Sequence, residues 1–339
     1  MIKVDIVLAG FGNVGRAFAG LLLEKHHILV KRFGLDLRLR AIFRSCGGLK
    51  LKSPAAVGGL LKGKTRPAGK PCPWDPEVRL SASLVRGARG VFVACTTSDG
   101  RTGEPGLGHI RMGLSRGWHV VTADKSPLVA GFEELRRSAG KKGLTLGFSA
   151  AAGAALPALD VALGSLAGAQ IRAIEGILNG TTNYILTRMG QGAAFDAALV
   201  EAQAKGIAEP DASRDISGMD TAIKLLLIAN SAMGLNLRLE DIDLESVTGV
   251  SPKDLSSAKT KGEEFKYLGR VERTAGKITA EVKARAIPAS HPLFAVEGTN
   301  KGVTFVTDTM GAVTVTGGQS DPRGAAAALL KDIINIYRR

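Results

Sequence analysis

The sequence predicts an α/β protein with a doubly wound parallel sheet and a second, α+β domain. Over the first 150 residues, apolar strand patterns alternate with helical patterns. This alternation is typical of parallel sheets whose strands are joined by helices. A glycine-rich turn directly follows the first strand pattern and opens the first helical pattern. Beyond Ala150 the sequence changes to small residues and then to short strand patterns, which predicts a separate domain.

The first half of the chain supplies the parallel sheet. Residues 3–9 are rich in Val, Ile and Leu, as expected for a strand buried on both faces, and a helical pattern runs from Val14 to about Lys25. Residues 44–75 are rich in Gly, Pro and Lys, which predicts a long loop with at most a short helix. Further strands are predicted at 37–43, 90–96, 119–123 and 144–150, and further helices near 105–116 and 131–140.

The second half of the chain differs from the first in composition and in its pattern of predicted elements. Residues 151–168 are helix-like and rich in small residues, which suits tight packing between elements or subunits. A strand is predicted over 170–178, short strands within 269–316, and helices over 195–205, 218–233 and 323–337. These patterns predict a dinucleotide-binding domain over 1–148, completed by about 318–339, and a substrate-binding and dimerisation domain over 149–317.

Composition limits the classes of function. A chain of 339 residues is long enough for two domains. It has no apolar stretch long enough to span a membrane, and its start, "MIKVDIVLAGFG", is typical of a strand and not of a signal peptide. Three cysteines without metal-ligand spacing predict a reducing, cytoplasmic setting. The net charge of +14 comes from scattered basic residues with few aromatics, which favours a basic surface for anionic ligands over a nucleic-acid partner.

The segment "GFGNVG" predicts a dinucleotide site in a Rossmann-type domain. Gly10, Gly12 and Gly15 have the spacing G-x-G-x-x-G between a strand and a helix. The first two glycines allow a tight turn and close approach of a pyrophosphate, and the third allows close helix–strand packing. The backbone N–H groups of Asn13 and Val14, at the helix start, are then expected to face the phosphates.

The end of the second strand indicates which nucleotide is bound. An acidic residue at this place binds the ribose 2′-OH of NAD, whereas this chain has Arg44 and Ser45. A guanidinium matches the charge and geometry of a 2′-phosphate. NADP is therefore favoured over NAD; the alternative is that Arg44 only faces solvent.

Two other motif matches are rejected on context. The segment "GGLLKGKT" (58–65) has the phosphate-loop spacing, but the prolines that follow it prevent the required helix. The segment "NGT" (179–181) fits a glycosylation acceptor, but nothing in the sequence indicates secretion.

An acidic cluster precedes an apolar helical run. Glu209, Asp215 and Asp220 are followed by Lys224, which is four residues after Asp220 and on the same helical face. The neighbouring Ile and Leu residues predict a buried helix, where charges persist only if they are paired or functional. A buried lysine suits general acid–base chemistry; a purely structural ion pair is the alternative.

The motifs together resemble those of homoserine dehydrogenases, which interconvert L-homoserine and L-aspartate 4-semialdehyde. The likeness spans most of the chain and includes "GFGNVG", "TTSDGRTGEP" (96–105), "VVTADKSPLV" (120–129), "GILNGTTNYILTRM" (176–189), "EAQAKGIAEPDASRDISGMDTAIKLLLIAN" (201–230) and "AAAALLKDIINI". The length matches the short form of the family, without a kinase or regulatory domain. Such an enzyme transfers hydride between C4 of a nicotinamide and C4 of its substrate, in threonine and methionine biosynthesis.

The resemblance implies roles for the acidic cluster. Lys224 matches the catalytic lysine, which protonates the forming alkoxide in reduction and accepts the proton in oxidation. Glu209 and Asp220 match residues that hold the substrate. Asp215 matches a further acidic position lining the same site.

The resemblance also implies contacts to the cofactor. Lys125, just past the strand at 119–123, matches a lysine between the nicotinamide ribose and the substrate, so it is a second catalytic candidate. Thr96 and Thr97 are expected beside the ribose, and Gly206 matches a position that approaches the cofactor. A homodimer is the expected assembly.

Several positions depart from the family pattern. Asp124 stands where Asn is usual before the lysine, and Asp321 lies where backbone usually approaches the cofactor. Ser149 replaces a glutamate at the start of a loop that binds a monovalent cation; backbone carbonyls of Ala152 and Ala154 are the remaining candidates for Na⁺ or K⁺. These departures motivate one alternative, a non-catalytic NADP-binding sensor. A dehydrogenase of similar build that acts on another amino or oxo acid is a second alternative.

Overall fold

The structure, a computed structural model, describes residues 1–62, 74–87, 89–318 and 321–338. The chain divides into two compact units, Met1–Ala151 with Asp321–Arg339, and Ala152–Ser320. These boundaries lie within a few residues of those expected from the sequence. The assignment of nucleotide binding to the first unit and substrate binding to the second stays a prediction.

The first unit contains a six-stranded sheet in the order β3-β2-β1-β4-β5-β6. All neighbouring strands are parallel except β2 and β3, which are antiparallel. Its strands are β1 (Ile2–Ala9), β2 (Leu35–Arg44), β3 (Gly47–Lys50), β4 (Gly90–Ala94), β5 (His119–Thr122) and β6 (Leu146–Gly147). Its helices are α1 (Asn13–Glu24), α2 (His26–Phe33), α3 (Pro54–Leu61), α4 (Leu80–Ser83), α5 (Gly106–Ser115) and α6 (Ser126–Lys141). The doubly wound α/β class is thus confirmed, and β4 is fully buried, as a central parallel strand should be.

The region from residue 44 to 75 is more ordered than the sequence predicts. The short helix α3 lies there as expected and includes residues 58–61 of the rejected phosphate-loop match; residues 63–65 lie outside the described residues. Strand β3, however, was not predicted, because its glycines carry no strand signal. Gly48 exchanges backbone hydrogen bonds of 2.9 and 2.8 Å with Asp75, and this pairing over a long sequence separation holds the edge strand in place.

The second unit contains a six-stranded mixed sheet in the order β12-β11-β7-β9-β10-β8. Only β8 and β10 pair in parallel. Its strands are β7 (Ile171–Ile177), β8 (Asp243–Leu244), β9 (Glu263–Thr274), β10 (Lys277–Pro288), β11 (Lys301–Thr307) and β12 (Ala312–Gly317). Along the chain α7 (Ser149–Gly153) spans the boundary between the units, and the helices that follow it are α8 (Ala158–Asp160), α9 (Gly180–Gly190), α10 (Phe195–Ala204), α11 (Ser213–Ile216), α12 (Met219–Ala232) and α13 (Pro252–Thr260). The last helix, α14 (Pro322–Tyr337), belongs to the first unit.

Helix α12 lies close against the second sheet because two glycines leave room for it. A Cβ at Gly269 in β9 would lie 3.3 Å from side-chain atoms of Thr221 and Leu225. Gly218, which begins α12 with φ of 82°, could not carry a side chain, since its Cβ would meet the hydroxyl of Tyr267 at 1.9 Å. Ten consecutive residues of this helix are buried, from Thr221 to Asn230.

In the described part of the chain, no helix is both long and apolar enough to cross a bilayer.

Candidate active site

The glycine-rich turn joins β1 to α1 as its spacing predicts. Gly10 has φ of 91°, and a Cβ there would lie 2.1 Å from the carbonyl oxygen of Cys95. A Cβ at Gly15 would lie 2.1 Å from the carbonyl oxygen of Gly10, so this glycine permits close helix–strand packing. Gly12, the N-cap of α1, faces open space, and the first turn carries no acidic side chain. The turn therefore fits a pyrophosphate against the backbone N–H groups at Asn13 and Val14.

Arg44 ends β2 beside this turn. The backbone N–H of Gly10 donates to the carbonyl of Phe43 at 2.9 Å, which places Arg44 next to the turn. The guanidinium carbon of Arg44 lies 5.5 Å from the ring centroid of Trp74, and the Trp74 ring packs at 5.8 Å from that of Phe11. Stacking on a buried aromatic ring limits the conformations of the exposed guanidinium and orients it for an anion.

A buried carboxylate connects the ends of β4 and β5. Asp124, 7% exposed, accepts hydrogen bonds from the hydroxyls of Thr96 (3.0 Å) and Ser98 and from the N–H of Ser126 (3.2 Å). Ser98 in turn accepts from the N–H of Gly106 at 3.0 Å. Burial raises the pKa of Asp124, and the hydrogen bonds from Ser98, Thr96 and Ser126 act in the opposite direction. This unusual acid therefore organises the loop that follows β4.

Lys125 follows directly, as the N-cap of α6. It is half-buried, and its carbonyl accepts from the N–H groups of Leu128 and Val129 at 3.0 Å each. Thr97 is exposed next to the half-buried Thr96. Lys125, Thr96 and Thr97 thus lie at the carboxyl ends of neighbouring parallel strands, the edge where such sheets bind ligands.

The raised pKa of Asp124 predicts a pH dependence of stability. The folded protein holds the proton of the Asp124 carboxyl more tightly than the unfolded chain does. The stability that this proton contributes to the folded state is therefore complete below the ordinary pKa of 3.8 and is lost as pH rises through the raised folded pKa. Asp124→Asn removes the buried charge, so its melting temperature relative to the wild type should rise as pH increases from 3.8 through the raised pKa of Asp124. Thermal unfolding across this range measures the difference.

Asp99 is the matched control. Hydrogen bonds from Thr102 and Arg101 lower the pKa of this exposed carboxyl, so Asp99→Asn should lose stability relative to the wild type only as pH rises toward 3.8, and the difference should stay constant above that value. If both variants changed in the same direction, burial of Asp124 would not control the effect.

Ser149 does not fit the cation loop that the family resemblance implies. Its hydroxyl donates to Oδ1 of Asp332 at 2.8 Å and accepts from Nζ of Lys331 at 2.9 Å, while its N–H donates to Oδ2 of Asp332 at 3.0 Å. The ammonium of Lys331 also lies 3.1 Å from Oδ1 of Asp332. Burial raises the pKa of Asp332, with Lys331 acting against it. An ammonium thus already pairs with this carboxylate. Ligation of a cation by the carbonyls of Ala152 and Ala154 stays a prediction.

This arrangement predicts that turnover does not depend on the monovalent cation. Rates and melting temperatures in NaCl, KCl and choline chloride at equal ionic strength should agree within experimental error. A rate or a melting temperature that rises only with Na⁺ or only with K⁺ would contradict the prediction.

In the second unit, Lys224 forms a buried ion pair. Its Nζ lies 2.6 Å from Oδ2 of Asp220, four residues earlier in α12, and donates to the carbonyl of Leu178 at 2.8 Å. The two charged side chains are only 10% and 14% exposed. Asp220 lies in the first turn of α12, where the helix dipole favours an acid. The predicted helical pairing of Asp220 with Lys224 is therefore present.

Asn179 connects this pair to Asp215. Its Nδ2 donates to Oδ1 of Asp215 at 2.7 Å and to Oδ2 of Asp220 at 2.9 Å, while its Oδ1 accepts from the N–H of Thr182 as the N-cap of α9. The sequence interpretation included Asn179 in a glycosylation pattern and in a segment that carries the family resemblance, but gave this residue no role of its own. An Asn directly after a strand and before a helix was the available signal, since it predicts a cap but not the carboxylates.

Two other predicted residues are exposed in the segment between α10 and α11. Glu209 is exposed between α10 and α11, and the side chain of Gln203 donates to its carbonyl at 3.4 Å. Gly206, with φ of 67°, follows α10 and faces open space. Their substrate and cofactor roles stay predictions.

Asp321 has a structural partner within its own element. It is the N-cap of α14, and its Oδ1 accepts from the N–H of Arg323 at 2.7 Å. The negative charge at this position therefore stabilises the start of α14.

The chain is similar to known proteins over most of its length. Residues 157–334 match a family model described as homoserine dehydrogenase. A homoserine dehydrogenase of Methanocaldococcus jannaschii is 36% identical over 98% of this chain and 98% of its own length. An NAD(+)-dependent homoserine dehydrogenase of Pseudomonas canavaninivorans is 31% identical over 100% of this chain and 97% of its own.

A solved structure is also similar. A hyperthermophilic archaeal homoserine dehydrogenase mutant in complex with NADPH superimposes with a TM-score of 0.81 and 26% identity, covering 99% of this chain and 98% of the other. The two-domain architecture is therefore shared over nearly the whole chain.

Proposed function

The chain belongs to the homoserine dehydrogenase family, and we propose that it interconverts L-homoserine and L-aspartate 4-semialdehyde with NADP in preference to NAD. The observation that carries the reaction is the buried network of Asp215, Asn179, Asp220 and Lys224. A buried ammonium whose carboxylate partner is held in place suits proton transfer, and clustered carboxylates suit a substrate ammonium.

Lys224 is the proton carrier in this proposal. In homoserine oxidation its neutral amine accepts the hydroxyl proton and becomes an ammonium, and in the reverse direction the ammonium donates that proton to the alkoxide. The bound nicotinamide supplies the hydride acceptor or donor. Asp220 holds Lys224 at 2.6 Å and, with Asp215 and Glu209, binds the substrate ammonium. Lys125 binds the substrate or the nicotinamide ribose.

The cofactor proposal rests on the first unit. The turn of Gly10, Gly12 and Gly15 fits a pyrophosphate, and Arg44 presents an oriented guanidinium where NAD enzymes have an acid. Relatives include both an NAD(+)-dependent enzyme and a structure with NADPH, so family membership alone supports only a nicotinamide dinucleotide. NADP preference depends on Arg44.

The departures from the family pattern give no reason to prefer a non-catalytic sensor. Asp124 binds the hydroxyls of Thr96 and Ser98, Ser149 binds Asp332, and Asp321 caps a helix. A cytoplasmic homodimer serving threonine and methionine biosynthesis is the setting that we propose.

The direct test is nucleotide reduction with L-homoserine at alkaline pH, with NADP and NAD compared at equal concentration. We expect turnover with both nucleotides and a higher kcat/KM with NADP. A folded protein that binds NADPH but turns over homoserine with neither nucleotide would disprove the proposed function.

A further inference from the structure

Asn179 is 5% exposed and lies at the junction of β7 and α9. Its Oδ1 accepts from the N–H of Thr182 at 2.9 Å, which satisfies a donor at the start of α9. Because this oxygen is committed to the helix, the amide can face only one way, and its NH₂ group points toward the two carboxylates. The capping contact therefore fixes the orientation of a side chain that has two other partners.

The NH₂ group of Asn179 donates both of its hydrogens to carboxylates. It donates to Asp215 at 2.7 Å and to Asp220 at 2.9 Å, and these are all the donors that an amide has. Two carboxylates are thus brought to one nitrogen without an added charge. A carboxylate at position 179 could cap the helix equally well but could not donate to either acid.

The consecutive residues Leu178 and Asn179 together contact both members of the Asp220–Lys224 ion pair. The carbonyl of Leu178 accepts from Nζ of Lys224 at 2.8 Å, and the amide of Asn179 donates to the Asp220 oxygen that Lys224 contacts. A shift of Asn179 would therefore change the position of Asp220 relative to Lys224.

From this geometry, and resting on the proposed function, we infer that Asn179 is a positioning residue for the reaction. It holds Asp220 against Lys224 and keeps Asp215 beside Asp220 as one binding surface for the substrate ammonium. It acts through these groups and not on the reacting atoms.

The test compares Asn179→Ser and Asn179→Asp, since Ser, Asp and Asn all cap helices well and both variants should fold. Each loses hydrogen bonds to charged groups, so kcat/KM for L-homoserine should fall by about 10- to 100-fold. Asn179→Asp adds a negative charge beside Asp220, which should hold the Lys224 proton more tightly and move the pH–rate profile of homoserine oxidation to higher pH. Asn179→Ser should not cause that movement.

Asn230 provides the matched control. It is a buried asparagine of α12 whose amide forms hydrogen bonds with the backbone of Leu237, at 2.8 and 2.9 Å. Asn230→Ser should lower the melting temperature and leave kcat/KM and the pH profile unchanged. NADPH binding, followed by fluorescence, should be the same in all three variants.

The outcomes separate the inference from the proposed function. If the wild type is active on homoserine and Asn179→Asp keeps its kcat/KM and pH profile, the positioning role is wrong and the function stands. If Asn230→Ser reduces kcat/KM as much as Asn179→Ser, general destabilisation explains the loss and the inference is overturned. An inactive wild type that binds NADPH would overturn both.

Discussion

Replacing Lys224 with methionine is expected to lower kcat for homoserine oxidation by about 10²- to 10⁴-fold, the usual contribution of a positioned general acid or base. Methionine keeps most of the buried stem but has no proton to exchange. Asp220 then loses its ammonium partner at 2.6 Å while it keeps the hydrogen bond from Asn179, so the fold should persist with a lower melting temperature. Steady-state kinetics and thermal unfolding measure the two effects separately.

Arg136→Met is the control for loss of a helical ion pair. Arg136 contacts Glu133 at 3.1 Å on the exposed face of α6, so its loss should affect neither rate nor stability strongly. NADPH binding should also survive in Lys224→Met. If Lys224→Met kept most of its kcat, the ion pair in α12 would be structural and another group would carry the proton.

The contrast between Lys224 and Asn179 shows what sequence patterns can predict. Asp220 and Lys224 are four residues apart in an apolar run, and helix periodicity alone places them on one buried face. Asn179 lies 41 residues before Asp220, and their contact exists only because β7 and α12 pack in the same unit. Its local pattern could indicate a helix cap or a glycosylation acceptor, but not two carboxylates.

The same reasoning applies in the first unit. The strand–turn–helix around Gly10 was predictable because its signal is confined to a few consecutive residues. The bonds between Ser149 and Asp332 span 183 residues, so the sequence showed only a missing glutamate and not the ammonium of Lys331 beside it. The capping role of Asp321, in contrast, could have been predicted from neighbouring residues. An acid directly before Pro322 is itself a helix-start signal, and the sequence interpretation did not use it.

Replacing Arg44 with serine is expected to raise KM for NADP by about 10- to 100-fold, because a charge-assisted, two-pronged contact to the 2′-phosphate is lost. KM for NAD should change little, since NAD has no phosphate there. The kcat values should stay close to the wild type, because Arg44 stacks on Trp74 at the end of β2 and is not among the proposed proton-transfer groups. The measurement is a pair of nucleotide titrations at saturating L-homoserine.

Arg40→Ser is the matched control on the same strand. Arg40 pairs with Asp5 at 2.8 Å, so its loss removes an equal positive charge from β2 without removing the guanidinium at the strand end. If Arg44 makes a specific contact to the 2′-phosphate, Arg44→Ser should raise KM for NADP and not KM for NAD, and Arg40→Ser should not. If both variants raised KM for NADP equally, the basic surface as a whole would attract the nucleotide, and the preference could not be assigned to Arg44. If neither did, Arg44 would face solvent, and NADP preference would have to arise from other residues around the turn.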